Sequence, residues 1–390
     1  MPGNELIGNE ELDEISYIFK NGSVLYRYGF DNKRNNCFKV REFESQFSRY
    51  FSMKYALGVT SGTAALRVAL AALGIKEGDE VITQSFTFVA TVEAIIESKA
   101  TPICTEIDNT LNMDPIDLEK KITSNTKAVI VVHMLGTPAN LEQIKEICSR
   151  KKIYLIEDTA WGCGGSLQNK KLGTWGDIST FSFDFAKTMT TGEGGMLLIK
   201  NKDVYKRASA WHDHGHENNP NFARWEDTRS SSGFNFRMNE LQGAVGLAQL
   251  RKLDKIVNLQ RSNSSYIWGK LKTIKNIQLR NAPKGSYETC DALIFLVPNK
   301  ITAHRCREEI INQGLTTKIL PEAYTWHFAG TWNHMSELVR ASNNDLKNAF
   351  PKSQSLLERA VAIPINVEME EGYALKLYNA VNKALHFNES

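Results

Sequence analysis

From about Tyr55 onward, short β-branched runs alternate with amphipathic stretches at helical spacing, and this alternation leaves few architectures open. TPICTEID, KAVIVVHMLG and IYLIEDTAW are apolar runs, each bounded by Gly, Pro or Asp. GDEVITQSFTFVATVEAIIESKA reads as turn, strand, then helix, and LEQIKEICSRKK as an amphipathic helix between two strands. SGTAALRVALAALGI is a helix opened by Ser-Gly-Thr and closed by Gly74. Strands and helices in this order predict an α/β fold, with a mostly parallel sheet covered on both faces. RMNELQGAVGLAQLRKLDKIVNLQRSNSSYIWGKL is a long helical pattern. Beyond it, DALIFLVPN, HRCREEIINQGL and FPKSQSLLERAVAIPI predict a smaller α+β unit.

The 390 residues exceed a comfortable single core, so two domains are expected, 1–260 and 261–390. A net charge of +3, from 47 basic and 44 acidic residues with no basic block, gives nucleic acid little support. No apolar run reaches membrane-spanning length, and the start, MPGNELIGNEEL, carries acids where a signal peptide carries Lys or Arg. Six cysteines without C-x-x-C spacing read as reduced thiols, so a cytoplasmic location is expected.

Three motifs fall at predicted strand ends or helix starts, where open α/β sheets bind ligands. Ser61-Gly62-Thr63 opens a helix, whose free N–H groups and dipole suit a phosphate; it is also a plain helix cap. Asp158 ends the strand IYLIED, where it can pair with a buried cation or cap the next element. FSFDFAKTMTTGEGGM reads as strand, turn and second strand, with Lys187 just past the first. A lysine of lowered pKa forms a Schiff base with an aldehyde or ketone, although most lysines are simply exposed. A phosphate site, an aspartate and a lysine 29 positions after it form the ordered set that pyridoxal 5'-phosphate needs.

Through VREFESQFSRYF, SFTFVATVEAI, VHMLGTPANL, IEDTAWGCGG, FSFDFAKTMTTGEGGM, HDHGH and GFNFRMNELQGAVGLAQL, the chain resembles the sugar aminotransferases of the DegT/DnrJ/EryC1/StrS family. The resemblance implies a fold-type I pyridoxal phosphate-dependent transferase, with a large domain on a seven-stranded-type sheet and a smaller α+β C-terminal domain. By it, Lys187 would bond the cofactor's aldehyde and Asp158 would pair with the pyridine nitrogen. Gly62, Thr63 and Ser182 would hold the phosphate, and Phe88 would stack on the ring. Asn235 would reach the phosphate in the other subunit, which implies a homodimer with shared sites. L-Glutamate would be the amino donor and a ketosugar the acceptor. A branch that dehydrates its substrate has histidine where this chain has Lys187. A regulator that binds the cofactor without catalysis remains the reading from another class.

Trp161 stands where many members have Gln or His, and an indole can only donate a hydrogen bond, so its role stays open. His212, His214 and His216 alternate, as metal ligands on a strand would, but Gly215 breaks the strand reading. No metal is expected, and His214 and His216 are read as part of a substrate loop. The N-terminal segment and HDHGHE look most like the branch that makes 8-amino-3,8-dideoxy-manno-octulosonate in lipopolysaccharide biosynthesis. Its substrate is a free sugar acid, whose carboxylate Arg27, Lys33 and Arg34 could meet; a solvated loop is the plain alternative. The other acceptor class is a nucleotide-linked 3- or 4-keto-6-deoxy sugar, and the aromatic stretch PEAYTWHFAGTWNHM does not choose between the two.

Overall fold

A computed structural model describes residues 2–219 and 221–386. The central sheet has seven strands: β1 (Tyr55–Val59), β2 (Glu80–Gln84), β3 (Thr101–Thr105), β4 (Thr126–Val132), β5 (Tyr154–Asp158), β6 (Ile178–Ser182) and β7 (Gly195–Ile199). Their spatial order is β1-β7-β6-β5-β4-β2-β3. Neighbours from β3 to β6 are parallel, and β7 runs antiparallel to both β6 and β1. The stretch around Lys187 is therefore strand, turn and antiparallel strand, with Ser182 opposite Gly195.

The strands are buried over most of their length because both faces are covered. Ala128 and Ile130 pack beneath the helix Gly62–Ala72, while Val129 and Val131 pack beneath the helix Leu141–Lys151. Each fully buried Val, Leu or Ile in these layers contributes ~1.5–3 kcal/mol.

The long helix Glu240–Leu271 begins with a reciprocal cap: Gln242 N–H donates to the Asn239 side chain, and Asn239 N–H to that of Gln242. Its first half, through Leu247, Leu253 and Val257, packs on Phe43, Phe47, Phe181 and Phe183. Its far end, Ile267 and Leu271, belongs to another core, with Phe295, Ile310 and Leu377. That core covers an antiparallel sheet of three strands in the order β8 (Gln278–Leu279), β9 (Ala292–Leu296), β10 (Ala360–Pro364). A further core joins the two parts, with Phe86, Val132 and Trp161 from the first against Ile294, Leu320, Phe328 and Trp332 from the second.

Behind the carboxyl end of β5 lies a buried polar knot. Glu157 accepts backbone N–H groups from Gly173, Trp175 and Gly176 at 2.8, 2.5 and 2.6 Å. His133 accepts from Ala139 N–H through Nδ1, so its Nε2 carries the proton and donates to Glu157 at 3.3 Å. Burial pushes the Glu157 carboxyl up, but the hydrogen bonds from His133 and the glycines hold it below the usual carboxylate range. Glu157→Ala leaves three buried backbone N–H groups and the His133 Nε2–H without an acceptor, at a cost of about 3–5 kcal/mol. A lowered midpoint in thermal unfolding followed by circular dichroism is the expected result.

Candidate active site

At the carboxyl ends of β5 and β6 lies a cavity of about 410 Å³. Ser61, Gly62, Thr63, Phe88, Asp158, Trp161, Ser182 and Lys187 line it from the first part of the chain, and Lys318, Ile319 and His327 from the second. The candidates for one cofactor site thus converge, because their strands are neighbours in space: Asp158 pairs in register with Thr180 of β6, and Ser182 ends that strand.

The anion cradle is the start of the helix Gly62–Ala72. Ser61 caps it, its Oγ accepting from Ala64 N–H at 3.0 Å, and the first helical N–H groups have no intrahelical partner. Here glycine is required by close approach. A Cβ on Gly62 would lie 2.8 Å from Cβ of Ser182, and one on Gly195 would lie 2.3 Å from the Ser61 carbonyl oxygen. The two bare backbones let the helix start, β6 and β7 close on one point.

Asp158 is buried, and its hydrogen bonds are weak and neutral: from Ala160 N–H at 3.2 Å and from Thr91 Oγ1 at 3.3 Å. Burial raises its carboxyl above the usual range. A protonated ring nitrogen is the kind of partner that would restore its charge.

Lys187 is held by the turn after β6, where its N–H donates to the Asp184 carbonyl at 3.0 Å. Its Nζ lies 3.2 Å from the centroid of the Trp161 ring. Burial lowers its amine to about 8, against the opposing pull of Asp291, Asp184 and Asp158, while Lys318 lowers it further. An amine so placed is a nucleophile at mildly alkaline pH.

Phe88 stands just before the helix Val89–Glu97, 43 % exposed, its ring 5.6 Å from that of His327. Burial pushes the His327 imidazole down to about 4, so it is neutral at pH 7. Its Nδ1 faces the Ala323 carbonyl at 3.3 Å. The residues present fit pyridoxal phosphate: a weakly partnered buried acid, a desolvated amine and a helix start that opens on glycine share one cavity.

Other candidates lie elsewhere. The Arg27 guanidinium is buried, 2.5 Å from Glu44 and 3.3 Å from the Gly58 carbonyl, and Arg34 is paired with Glu240 at 3.0 Å. Neither lines the cavity; each compensates a carboxylate of its own chain. Lys33 is exposed. His214 and His216 do not line the cavity either. His214 is exposed at φ +54°, while His216 is buried, with Nδ1 3.2 Å from Asp227. His212 is buried, its Nε2 3.4 Å from the Tyr28 hydroxyl, so the three imidazoles do not share a face. Pro220, at the end of this stretch, lies outside the described residues. Among the described residues no three His, Cys, Asp or Glu side chains gather as metal ligands. Asn235 is exposed and away from its own chain's cavity, paired with Asp213 across an isolated bridge.

Reading along the chain missed Lys318, Ile319 and His327. Only His327 had a signal, as part of the aromatic stretch; Phe328 and Trp332 of that stretch are core residues.

Lys187 makes a checkable statement about pH. As its amine loses its proton near pH 8, the rate of Schiff-base formation with added pyridoxal phosphate is expected to rise through that pH and then level off. Stopped-flow absorbance at the imine band measures it, and a rate still climbing toward pH 10 would contradict the lowered value.

Known proteins resemble the chain in sequence and in fold. The chain is 31% identical over 338 residues to the GDP-perosamine synthase of Vibrio cholerae, covering 83% of this chain and 85% of that protein. It is 34% identical over 266 residues to the dTDP-4-dehydro-2,3,6-trideoxy-D-glucose 4-aminotransferase of Saccharopolyspora spinosa, covering 66% of each. The crystal structure of the aminotransferase from Psychrobacter cryohalolentis superimposes with a TM-score of 0.85 over 98% of both chains at 24% identity, and the fold is that of fold-type I aminotransferases. Residues 32–382 match the model of the DegT/DnrJ/EryC1/StrS aminotransferase family, and the chain belongs to that family.

Proposed function

We propose that the protein is a pyridoxal phosphate-dependent aminotransferase that moves the amino group of L-glutamate onto a nucleotide-linked 4-ketosugar. The observation that carries this reading is the convergence of buried Asp158, desolvated Lys187 and the open helix start at Gly62 on one cavity. The nucleotide-linked acceptor is supported by the names of the two relatives, one making a GDP-linked sugar and the other aminating a dTDP-linked one. The free sugar acid has less support, because Arg27 and Arg34 are committed to Glu44 and Glu240.

When bound, pyridoxal phosphate supplies an aldehyde and a ring that accepts electrons. Gly62, Thr63 and Ser182 hold its phosphate at the helix start, and Phe88 covers the ring. Asp158 keeps a proton on the ring nitrogen, which offsets the cost of its own burial. With the amino donor bound, Lys187 would serve as a free base. Its Nζ takes a proton from the donor's Cα, and in the second half-reaction returns one to the sugar carbon that receives nitrogen. The balance is one amine and one ketone in, one oxo acid and one amino sugar out. Asn235 serves the site of a second copy in a homodimer. The protein works in the cytoplasm, where glutamate and nucleotide sugars are found; no helix among the described residues is long and apolar enough to cross a membrane.

The test is a two-stage reaction. The cofactor-loaded protein is treated with L-glutamate, and its yellow absorbance band should be lost. GDP- and dTDP-linked 4-keto-6-deoxyhexoses, and separately 8-oxo-3-deoxy-manno-octulosonate, are then added, and the amine product is read by mass spectrometry. Amination of a nucleotide-linked sugar with return of the yellow band is expected. Amination of the octulosonate alone would overturn the acceptor class, and a band untouched by any amino donor would overturn transamination. Lys187→Ala should bind the cofactor noncovalently and show no turnover.

A further inference from the structure

Besides Lys187, the residues that line the cavity include a second lysine, and no arginine. Lys318 stands between β9 and β10, in the second part of the chain. Its backbone N–H donates to the Ala362 carbonyl of β10 at 2.8 Å. The next residue, Ile319, also lines the cavity and has φ +69°, a conformation that β-branched residues rarely adopt. A strained residue of this kind persists only where its surroundings over-determine it.

The side chain is equally constrained. Its Nζ is 2.8 Å from the carboxylate of Asp291, which is buried on the edge of β9. That Nζ also lies 5.1 Å from the centroid of Trp161, the same ring that carries Lys187 Nζ at 3.2 Å. One indole thus neighbours two lysine amines of different character. Among the described residues Lys187 has no counter-ion within contact, and burial tunes it toward neutrality. Lys318 keeps its counter-ion, and the three protons of an ammonium leave it donors beyond the one that Asp291 takes.

The reaction proposed above makes a demand that Lys187 cannot meet. An amino-acid donor carries a carboxylate on the carbon whose proton is removed. The base that takes this proton has to be neutral, so the carboxylate needs a different cation close by. His327 is neutral, and the other ionisable groups lining the cavity (Asp158, Asp184 and Glu193) are acids that would repel it. We propose that Lys318, oriented by Asp291 and the Trp161 ring, is the seat of the amino donor's α-carboxylate. Trp161 then has a use that differs from the hydrogen bond of a Gln or His: its ring packs against both the seat and the base.

The inference rests on the transamination reading, and its test separates the two. In Lys318→Met, the glutamate concentration that half-saturates loss of the yellow band, measured without any sugar, should rise about tenfold or more, as expected for loss of a charge-assisted hydrogen bond. The saturating rate should fall less than that. Lys318→Arg should recover most of the loss. Because Lys318→Met leaves Asp291 buried and unpaired, the double variant Lys318→Met/Asp291→Asn is measured alongside, and its weakened glutamate response should persist with a normal thermal midpoint. Calorimetric titration of the loaded wild-type protein with glutarate, which cannot react, should show binding that the double variant loses.

An unchanged glutamate response in the double variant overturns the proposal. So does a loss confined to the second half-reaction, which would assign Lys318 to an anionic group of the sugar substrate. If wild-type protein fails to react with any amino donor, the transamination reading fails, and glutarate binding still decides what Lys318 holds.

Discussion

Two adjacent carboxylates at the end of β5 hold the structure and its chemistry together. Side chains alternate along a strand, so Glu157 and Asp158 face opposite ways. Glu157 points back into a shell of backbone donors and fixes the loop at Gly173–Gly176, which leads into β6. Asp158 points forward into the cavity and is left with weak partners. The same burial that is costly for both is answered within the fold for Glu157 and left for a ligand to answer at Asp158. β6 carries Ser182 and delivers Lys187 to the cavity, so the position of the lysine depends on the residue next to Asp158.

Much of the fold could be read from the chain because the sheet is covered on both faces. A doubly covered strand reads as a near-continuous apolar run, and AVIVV and IYLI stand out against polar turns. The order of motifs could be read for a related reason. β5 and β6 are parallel neighbours, so groups at their carboxyl ends, 29 positions apart in sequence, meet in space. The family resemblance supplied the roles; the topology supplies the reason that those roles fall to residues so spaced.

The rest depended on partners distant in sequence. Arg27 looked like a free cation because nothing near it in the chain announces Glu44, which reaches it from a helix packed alongside. Arg34 meets Glu240 only because the start of the long helix folds over the N-terminal segment. The wall formed by Lys318 and Ile319 has no periodicity to find, since it is a short irregular link placed by β10. The three alternating histidines give the opposite lesson. Their spacing has the period of a strand, but the backbone turns at His214 and Gly215, so His212 meets Tyr28, His216 meets Asp227 and His214 is exposed.

The helix Glu240–Leu271 is rooted in one core at its start and in another at its end. A continuous ladder of main-chain hydrogen bonds runs between the two anchors, and it resists bending far more than a loop does. The helix therefore acts as a strut that fixes the width of the cleft. Acceptors of different bulk have to be accommodated by rearranging the rim, and the gap between the two bodies works as a fixed gauge.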